Sequence, residues 1–326
     1  MTIRWIMILS VTAIILTGLG CGKKSAPVPE AEATQGTISI SGAWALYPMM
    51  VKWAEEYQVL YPDMTIDISA GGAGKGMADA LAGLVDIGMI SREIQPAEID
   101  KGAWFIAVCK DGVVGTIHES NPVWDILKTR GLTQEECRKI WITQEITDWG
   151  VLIGRTEKPI PLNLYTRSDA CGAAETWAAF IGKKQEDLKG IGVYGDPGLL
   201  EAVRQDESGI GYNNINYIYD QTTHHPHPGT RALPLDVNAD GRIDSSENFY
   251  EDRDSLIAAI IEGRYPSPPA RTLYVACQGE PQNPAVRAFL RWILDKGQDY
   301  TAESGYIALS EQDRNDQREK MTEPKQ

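Results

Sequence analysis

Histidine, cysteine and basic charge are all scarce in this chain of 326 residues. It has His 4 and Cys 5, and Lys+Arg 31 stand against Asp+Glu 45, a formal net charge of −14. A phosphate backbone is met by a basic stripe, and none is present, so nucleic acid is excluded as a partner. An anion can be held only at a local site rich in backbone donors, against the field of the whole chain. The spacings of zinc sites (CxxC, Cys/His clusters) do not occur, nor does the GxxxxGK[ST] phosphate loop. No internal repeat is visible, and Gly 31 with Pro 18 is too little for a collagen-like or low-complexity chain. No Ser-His-Asp order and no pair of catalytic carboxylates suggests itself, so an enzyme is not expected. His224, His225 and His227 share one Pro-rich stretch, which reads as a solvated loop before it reads as a metal site.

The N-terminus carries a single apolar run, Trp5 to Leu16, preceded by Arg4 and followed by Gly18-Leu19-Gly20-Cys21. The run is too short for a membrane span. Small residues ending in Cys resemble a bacterial lipoprotein signal, in which the cysteine becomes the lipidated N-terminus. The reading is a signal peptide over 1–20, lipidation at Cys21, a tether over 21–36 and an extracytoplasmic location on the membrane. A plain secretory signal with a stray Cys is the alternative. Outside the cytoplasm Cys109, Cys137, Cys171 and Cys277 can form two bridges. Cys109 and Cys277, each ending an apolar run, are the preferred pair, with buried free thiols the alternative.

Strand and helix patterns alternate from Thr37 onward. Thr37–Ser41, Met64–Ile68 and Asp86–Ile90 read as strands, as do Phe105–Val108 and Gly112–Ile117 around Lys110-Asp111. Pro48, Asn283 with Pro284, and the Thr133…Glu136 capping box mark helix starts. This order predicts an α/β fold with mostly parallel sheets, and ligands at the strand-to-helix turns. Three such turns stand out: Ser41–Pro48, Gly71–Gly76 and Thr166–Ala173. A fourth, Ile90-Ser91-Arg92, adds a hydroxyl and a guanidinium. Helix N-termini expose unpaired N–H groups and partial positive charge, and glycines allow close approach, so the turns together form an anion cradle. Arg167 adds a planar fork suited to an oxyanion. Cys171, at a helix start, is either a lowered-pKa thiol or a small residue chosen for packing.

In order along the chain stand SGAWALYPMMVKWAEEY, GGAGKGMADALAGLVDIGMISRE, KDGVVGTIHESNP, TQEECRKIWITQEITDW, TRSDACGAAETW, IGY and YPSPPARTLYV. The set resembles the phosphate-binding substrate-binding proteins of ABC importers, from about Thr37 to Ala308. That resemblance implies a type II periplasmic-binding-protein fold: two α/β lobes joined by hinge strands, with a ligand cleft between them. Lobe 1 would comprise 37–108 plus 272–310 and lobe 2 residues 109–271, leaving 311–326 as a flexible tail. It also implies a small inorganic anion, phosphate first, passed to an ABC permease. Carried onto this chain, the anion site would use Trp44, Ala45, Leu46, Ala73, Gly74, Lys75, Ser91, Arg92, Arg167, Cys171, Gly172 and Ala173. The family's first turn offers Ser or Thr, where this chain has Ala43 to Leu46. Its second turn usually has a Ser, where Ala73 stands. Its Arg-x-x-x-Ser-Gly-Thr here reads Arg167-x-x-x-Cys171-Gly172-Ala173, while Ser91-Arg92 matches one branch. Several hydroxyl donors, each worth about 1.5–3 kcal/mol to a charged oxygen, are thus absent. Lys75, Arg92 and Trp44 are placed to compensate, and Trp44 also allows stacking of an organic anion.

A second motif stands apart. Asp236, Asn238, Asp240, Arg242 (through its carbonyl), Asp244 and Glu247 occupy positions 1, 3, 5, 7, 9 and 12 of an EF-type loop, with Gly241 at the sharp turn. Calcium is the expected cofactor, in an isolated loop because Pro234 breaks an entering helix. An unmetallated acidic turn is the alternative, and a calcium-dependent adhesion, scaffold or sensor protein is the alternative function.

Overall fold

The computed structural model of the chain describes residues 35–155 and 157–321. The expected signal peptide, the expected lipidation at Cys21 and nearly all of the expected tether lie outside the described residues. No helix among the described residues is long and apolar enough to cross a membrane.

Among the described residues nine strands form one sheet, eight of them in a continuous path. They are β1 (Gly36–Gly42), β2 (Met64–Ala70), β3 (Ile87–Ile90), β4 (Ala103–His118), β5 (Asn163–Arg167), β6 (Ile191–Val193), β7 (Gly209–Asn214), β8 (Thr230–Leu233) and β9 (Ala270–Gln278). Their order is β2-β1-β3-β9-β4-β7-β5-β6, with β8 also on β4. Pairing is parallel at each end, β2-β1-β3 and β7-β5-β6, and antiparallel through the middle. The sheet is therefore mixed where the alternation of elements pointed to a mostly parallel one. The reason is β4: the two short runs around Lys110-Asp111 are one strand of 16 residues, and β9 returns from the far end of the chain antiparallel to it.

β4 and β9 join two cores. Ile106 and Val108 of β4, with Val275 of β9, pack among Met50, Trp53 and Phe289. Val113, Val114 and Ile117 pack among Trp141, Trp177 and Tyr212. Between the cores, Asp111 and Arg271 face each other in the β4–β9 ladder. They bond through Arg271 Nε to Oδ1 at 2.8 Å and Nη2 to Oδ2 at 3.1 Å. Burial pushes the Asp111 carboxyl above its usual range even with Arg271 beside it.

Local signals explain the helices that frame the site. Helix Tyr47–Leu60 has Pro in its first turn and buries Met49, Met50, Trp53 and Tyr57. The expected capping box at Thr133 and Glu136 starts helix Gln134–Trp141. Asn283 caps helix Pro284–Leu294 by accepting from Ala285 N at 3.0 Å.

Two expectations are corrected. Cys109, Cys137, Cys171 and Cys277 are all free and buried. Cys109 lies opposite Leu273 and Cys277 opposite Trp104. That register sets the two thiols about four residues, roughly 13 Å, apart along the ladder, beyond disulfide reach. Burial pushes the Cys171 and Cys277 thiols up to about 12, so neither is a thiolate at neutral pH. Iodoacetamide at pH 8 should leave both unmodified in the folded chain and react after unfolding. Rapid alkylation of Cys171 in the folded state would restore the reactive-thiol reading. Secondly, residues 311–320 of the supposed tail form a helix. Ser310 caps it by accepting from Asp313 N at 3.0 Å. Gln317 Oε1 accepts from Ala107 N at 3.1 Å, where β4 bulges between Ala107 and Cys109. A donor freed by the bulge thus finds its partner in the final helix, and Met321 is buried behind it.

Candidate anion-binding site

The turns meet across the seam between the lobes. β1 ends at Gly42, whose carbonyl accepts from Gly71 N at 2.9 Å and Gly72 N at 3.0 Å, locking the first turn to the second. Gly72 has φ +91°, and a Cβ there would lie 2.7 Å from the carbonyl oxygen of Ala170, so only glycine fits. Helix Ala73–Leu81 begins at this point, and Gly74 N donates to Ala170 O at 3.1 Å, a direct lobe-to-lobe bond. From the other lobe, helix Gly172–Phe180 presents its N-terminus to β3: a Cβ on Gly172 would stand 2.0 Å from Ser91 O. Trp44 lies over Gly195 (3.2 Å from its would-be Cβ) and edge-on to Tyr194, ring centroids 6.2 Å apart. Its carbonyl accepts from Tyr217 Oη at 3.0 Å, while its Nε1–H is buried with no partner. The second and third turns, Ser91 and Trp44 therefore converge. Ala45 and Leu46 are core residues behind the first turn, Ala73 is buried, and Ala173 sits inside its helix.

The basic side chains are placed differently from the sequence expectation. Arg167 is fully buried and already ion-paired. Its Nε and Nη2 donate to Asp169 Oδ1 (2.8 Å) and Oδ2 (2.6 Å), and its Nη1 donates to Asp196 Oδ2 (2.5 Å). Burial works against its charge, but the carboxylates outweigh burial and raise its pKa. Asp196 also accepts from Asn214 N at 3.1 Å, Asn214 Nδ2 at 2.7 Å and Asn213 Nδ2 at 3.4 Å. Asp169 Oδ1 accepts from Gly195 N at 3.2 Å. Lys75 is held by Asp79 on its own helix. Arg92 forms a two-pronged pair with Glu98 (2.9 and 2.6 Å) and reaches Glu175 of the other lobe at 3.3 Å. Cys171 caps its helix, Sγ accepting from Ala174 N at 3.4 Å, in the position where the resemblance expects a serine. Neither Lys75 nor Arg92 is thus free to replace the missing hydroxyls, and the Arg167 cluster holds one positive charge against two negative. What the site retains for an anion is the Trp44 indole and the remaining amides of the two helix starts, since those of Gly71, Gly72, Gly74, Cys171 and Ala174 are already bonded within the protein.

Asp196, Asn213 and Asn214 are the residues the sequence reading missed. Asp196 opens helix Gly195–Arg204 and the two asparagines end β7. The Ile210–Tyr212 motif lay next to Asn213 and Asn214, but nothing local marks an Asp as the partner of an Arg 29 positions away. A cavity of about 550 Å³ opens beside Arg92, Glu175, Arg271 and Tyr265, on the hinge side of the seam. Its cations are already paired: Arg92 with Glu175 on the cavity wall, and Arg271 and Lys110 with Asp111 and Asp313 outside it.

Two α/β cores sharing two long strands, with helix N-termini meeting between them, define a two-lobed binding protein. A profile described as the PBP superfamily domain matches residues 27–296, and the chain belongs to that superfamily. It is 27% identical to the phosphate-binding protein PstS of Pseudomonas aeruginosa, covering 93% of this chain and 94% of that one. It is 26% identical to the phosphate-binding protein PstS of Bacillus subtilis, covering 67% and 72%. The fold is similar to a Clostridium perfringens structure described as a candidate phosphate ABC transporter substrate-binding protein with bound phosphate. There the TM-score is 0.68 at 24% identity, covering 84% of this chain and all of that one.

Proposed function

We propose that this chain is the extracytoplasmic substrate-binding component of an ABC importer, anchored through a lipid on Cys21, which captures phosphate or a similar tetrahedral oxyanion between its lobes. The carrying observation is that two glycine-bearing helix N-termini each reach across the seam, Gly72 and Gly74 to Ala170 and Gly172 to Ser91. Such termini stabilise negative charge with N–H donors and dipole alone. The names of the similar proteins support phosphate as the first anion. Amides, with the unpartnered Trp44 Nε1–H, take the place of the hydroxyls that are missing. Arg167 serves mainly to keep Asp169 and Asp196 neutralised beneath the turns. Closure runs through β4 and β9, the two strands common to both cores, and a permease reads the closed form.

The test is a titration of the full chain in detergent, dialysed free of ligand, followed by tryptophan fluorescence. Phosphate, sulfate, molybdate, tungstate and a few organic anions make up the panel. Saturable micromolar binding of phosphate is the expected result, with a smaller response in Trp44→Phe, which keeps the ring and removes the N–H. Silence across all the inorganic oxyanions would overturn the reading, and a response confined to organic anions would reassign the substrate.

A further inference from the structure

The loop from Asp236 to Glu247 lies far along the chain from the anion site, between β8 and helix Arg253–Ile261. It is firmly seated. Asp236 N donates to Leu132 O at 3.0 Å and Ile243 N to Thr129 O at 2.7 Å. Gly131 is pressed so close to it that a Cβ would stand 2.9 Å from Asp236 N. Inside the loop the Asp236 carboxylate turns inward, accepting from Asp240 N at 3.1 Å and Gly241 N at 2.9 Å. Ala239 and Gly241 take positive φ, 58° and 85°, which winds the chain around that carboxylate.

The independent observation is Glu247. It is only 4% exposed. Its Oε1 accepts from Val237 N at 2.8 Å and Asn238 N at 3.1 Å, which aims the carboxylate into the loop. Its Oε2 is buried with no partner. An ionised oxygen taken out of water without a donor is costly, and such groups call for an explanation. A hard cation supplies one: at position 12 a glutamate gives both oxygens to calcium, with oxygens from positions 1, 3, 5 and 7 completing the shell.

We infer that this loop is a calcium site, with Asp236, Asn238, Asp240, the Arg242 carbonyl and Glu247 as its ligands. Asp244 is held by Ser246 N (2.7 Å) and Oγ (2.6 Å), so it acts through a water. Among the described residues no three His, Cys, Asp or Glu side chains already stand together as a metal cluster. Asp240 is turned toward the Arg242 guanidinium at 3.2 Å, and calcium draws it back. The ion fastens the loop to residues 129–132 in the second core, so it supports lobe 2 and leaves the anion cradle unchanged.

The experiment compares the full chain in detergent, stripped with chelator, with its Glu247→Gln and Asp240→Asn variants, by calorimetric titration and thermal melting in Ca²⁺ or Mg²⁺. Wild type is expected to bind one Ca²⁺ at millimolar affinity or tighter and to melt several degrees higher in 5 mM Ca²⁺ than in 5 mM Mg²⁺. Glu247→Gln should weaken binding at least tenfold. Asp240→Asn, at an exposed position whose side-chain oxygens bond only to Arg242 within the loop, should do the same and serves if the Gln variant fails to fold. No heat and no calcium-specific melting shift in wild type would overturn the assignment. So would an equal shift in wild type and the folded variants, which would place the ion elsewhere.

Discussion

Gly172→Ala should hold the lobes apart and cut affinity for phosphate at least 100-fold. The substitution suits its own lobe: Gly172 does not have positive φ, and alanine is a good helix former. Across the seam the new methyl would stand 2.0 Å from Ser91 O and 2.3 Å from Ser91 Oγ. The first of these atoms is backbone and cannot swing aside, and packed interiors accommodate such overlap only by separating. Affinity falls by the fraction of molecules able to close, so a closure penalty of roughly 3 kcal/mol is a 100-fold loss (1.4 kcal/mol per factor of ten). Calorimetric titration with phosphate measures it, and the variant should melt close to wild type because neither core is touched. Wild-type affinity in Gly172→Ala would show that binding does not require the seam to close.

Arg167→Ala should be the most destabilising single substitution in the site, by about 3–5 kcal/mol, the cost of leaving buried charge unpaired. The side chain is fully buried, and its removal strands Asp169 and Asp196. Anion binding should be lost as well, because uncompensated negative charge would then lie beneath the cradle. The double variant Arg167→Ala with Asp196→Asn removes one stranded charge and should recover part of the loss in a denaturant melt, since groups in one network do not add independently. If Arg167→Ala melted with wild type while still losing phosphate, Arg167 would be a direct anion ligand with no structural duty, and its pairing with Asp169 and Asp196 would be incidental to stability.

These residues also show where sequence reading reaches its limit. The turns were legible because each is encoded locally: glycine runs, a proline at a helix start and a strand pattern before them. Placing them together needed only the rule that ligands gather where strands hand over to helices. The capping box at Thr133 was legible for the same reason. The state of Arg167, Arg92 and Lys75 was not, because it depends on which carboxylates the fold carries to them. Asp196 reaches Arg167 through helix Gly195–Arg204, and Glu175 reaches Arg92 only across the seam. The sheet direction was misjudged where one long strand was read as two. The bridge between Cys109 and Cys277 failed for a related reason: both do end apolar runs on neighbouring strands, but register is a long-range property and it sets them four residues apart. The last helix was hidden because its sequence is almost wholly polar, and its docking rests on a backbone donor exposed by a bulge that no local pattern announces.

Small-angle scattering of the ligand-stripped chain, with and without saturating phosphate, bears most directly on the claim that the two lobes close over an oxyanion. The expected result is a smaller radius of gyration with phosphate in wild type and no change in Gly172→Ala. Phosphate that binds tightly to wild type while the radius stays constant would contradict capture between moving lobes.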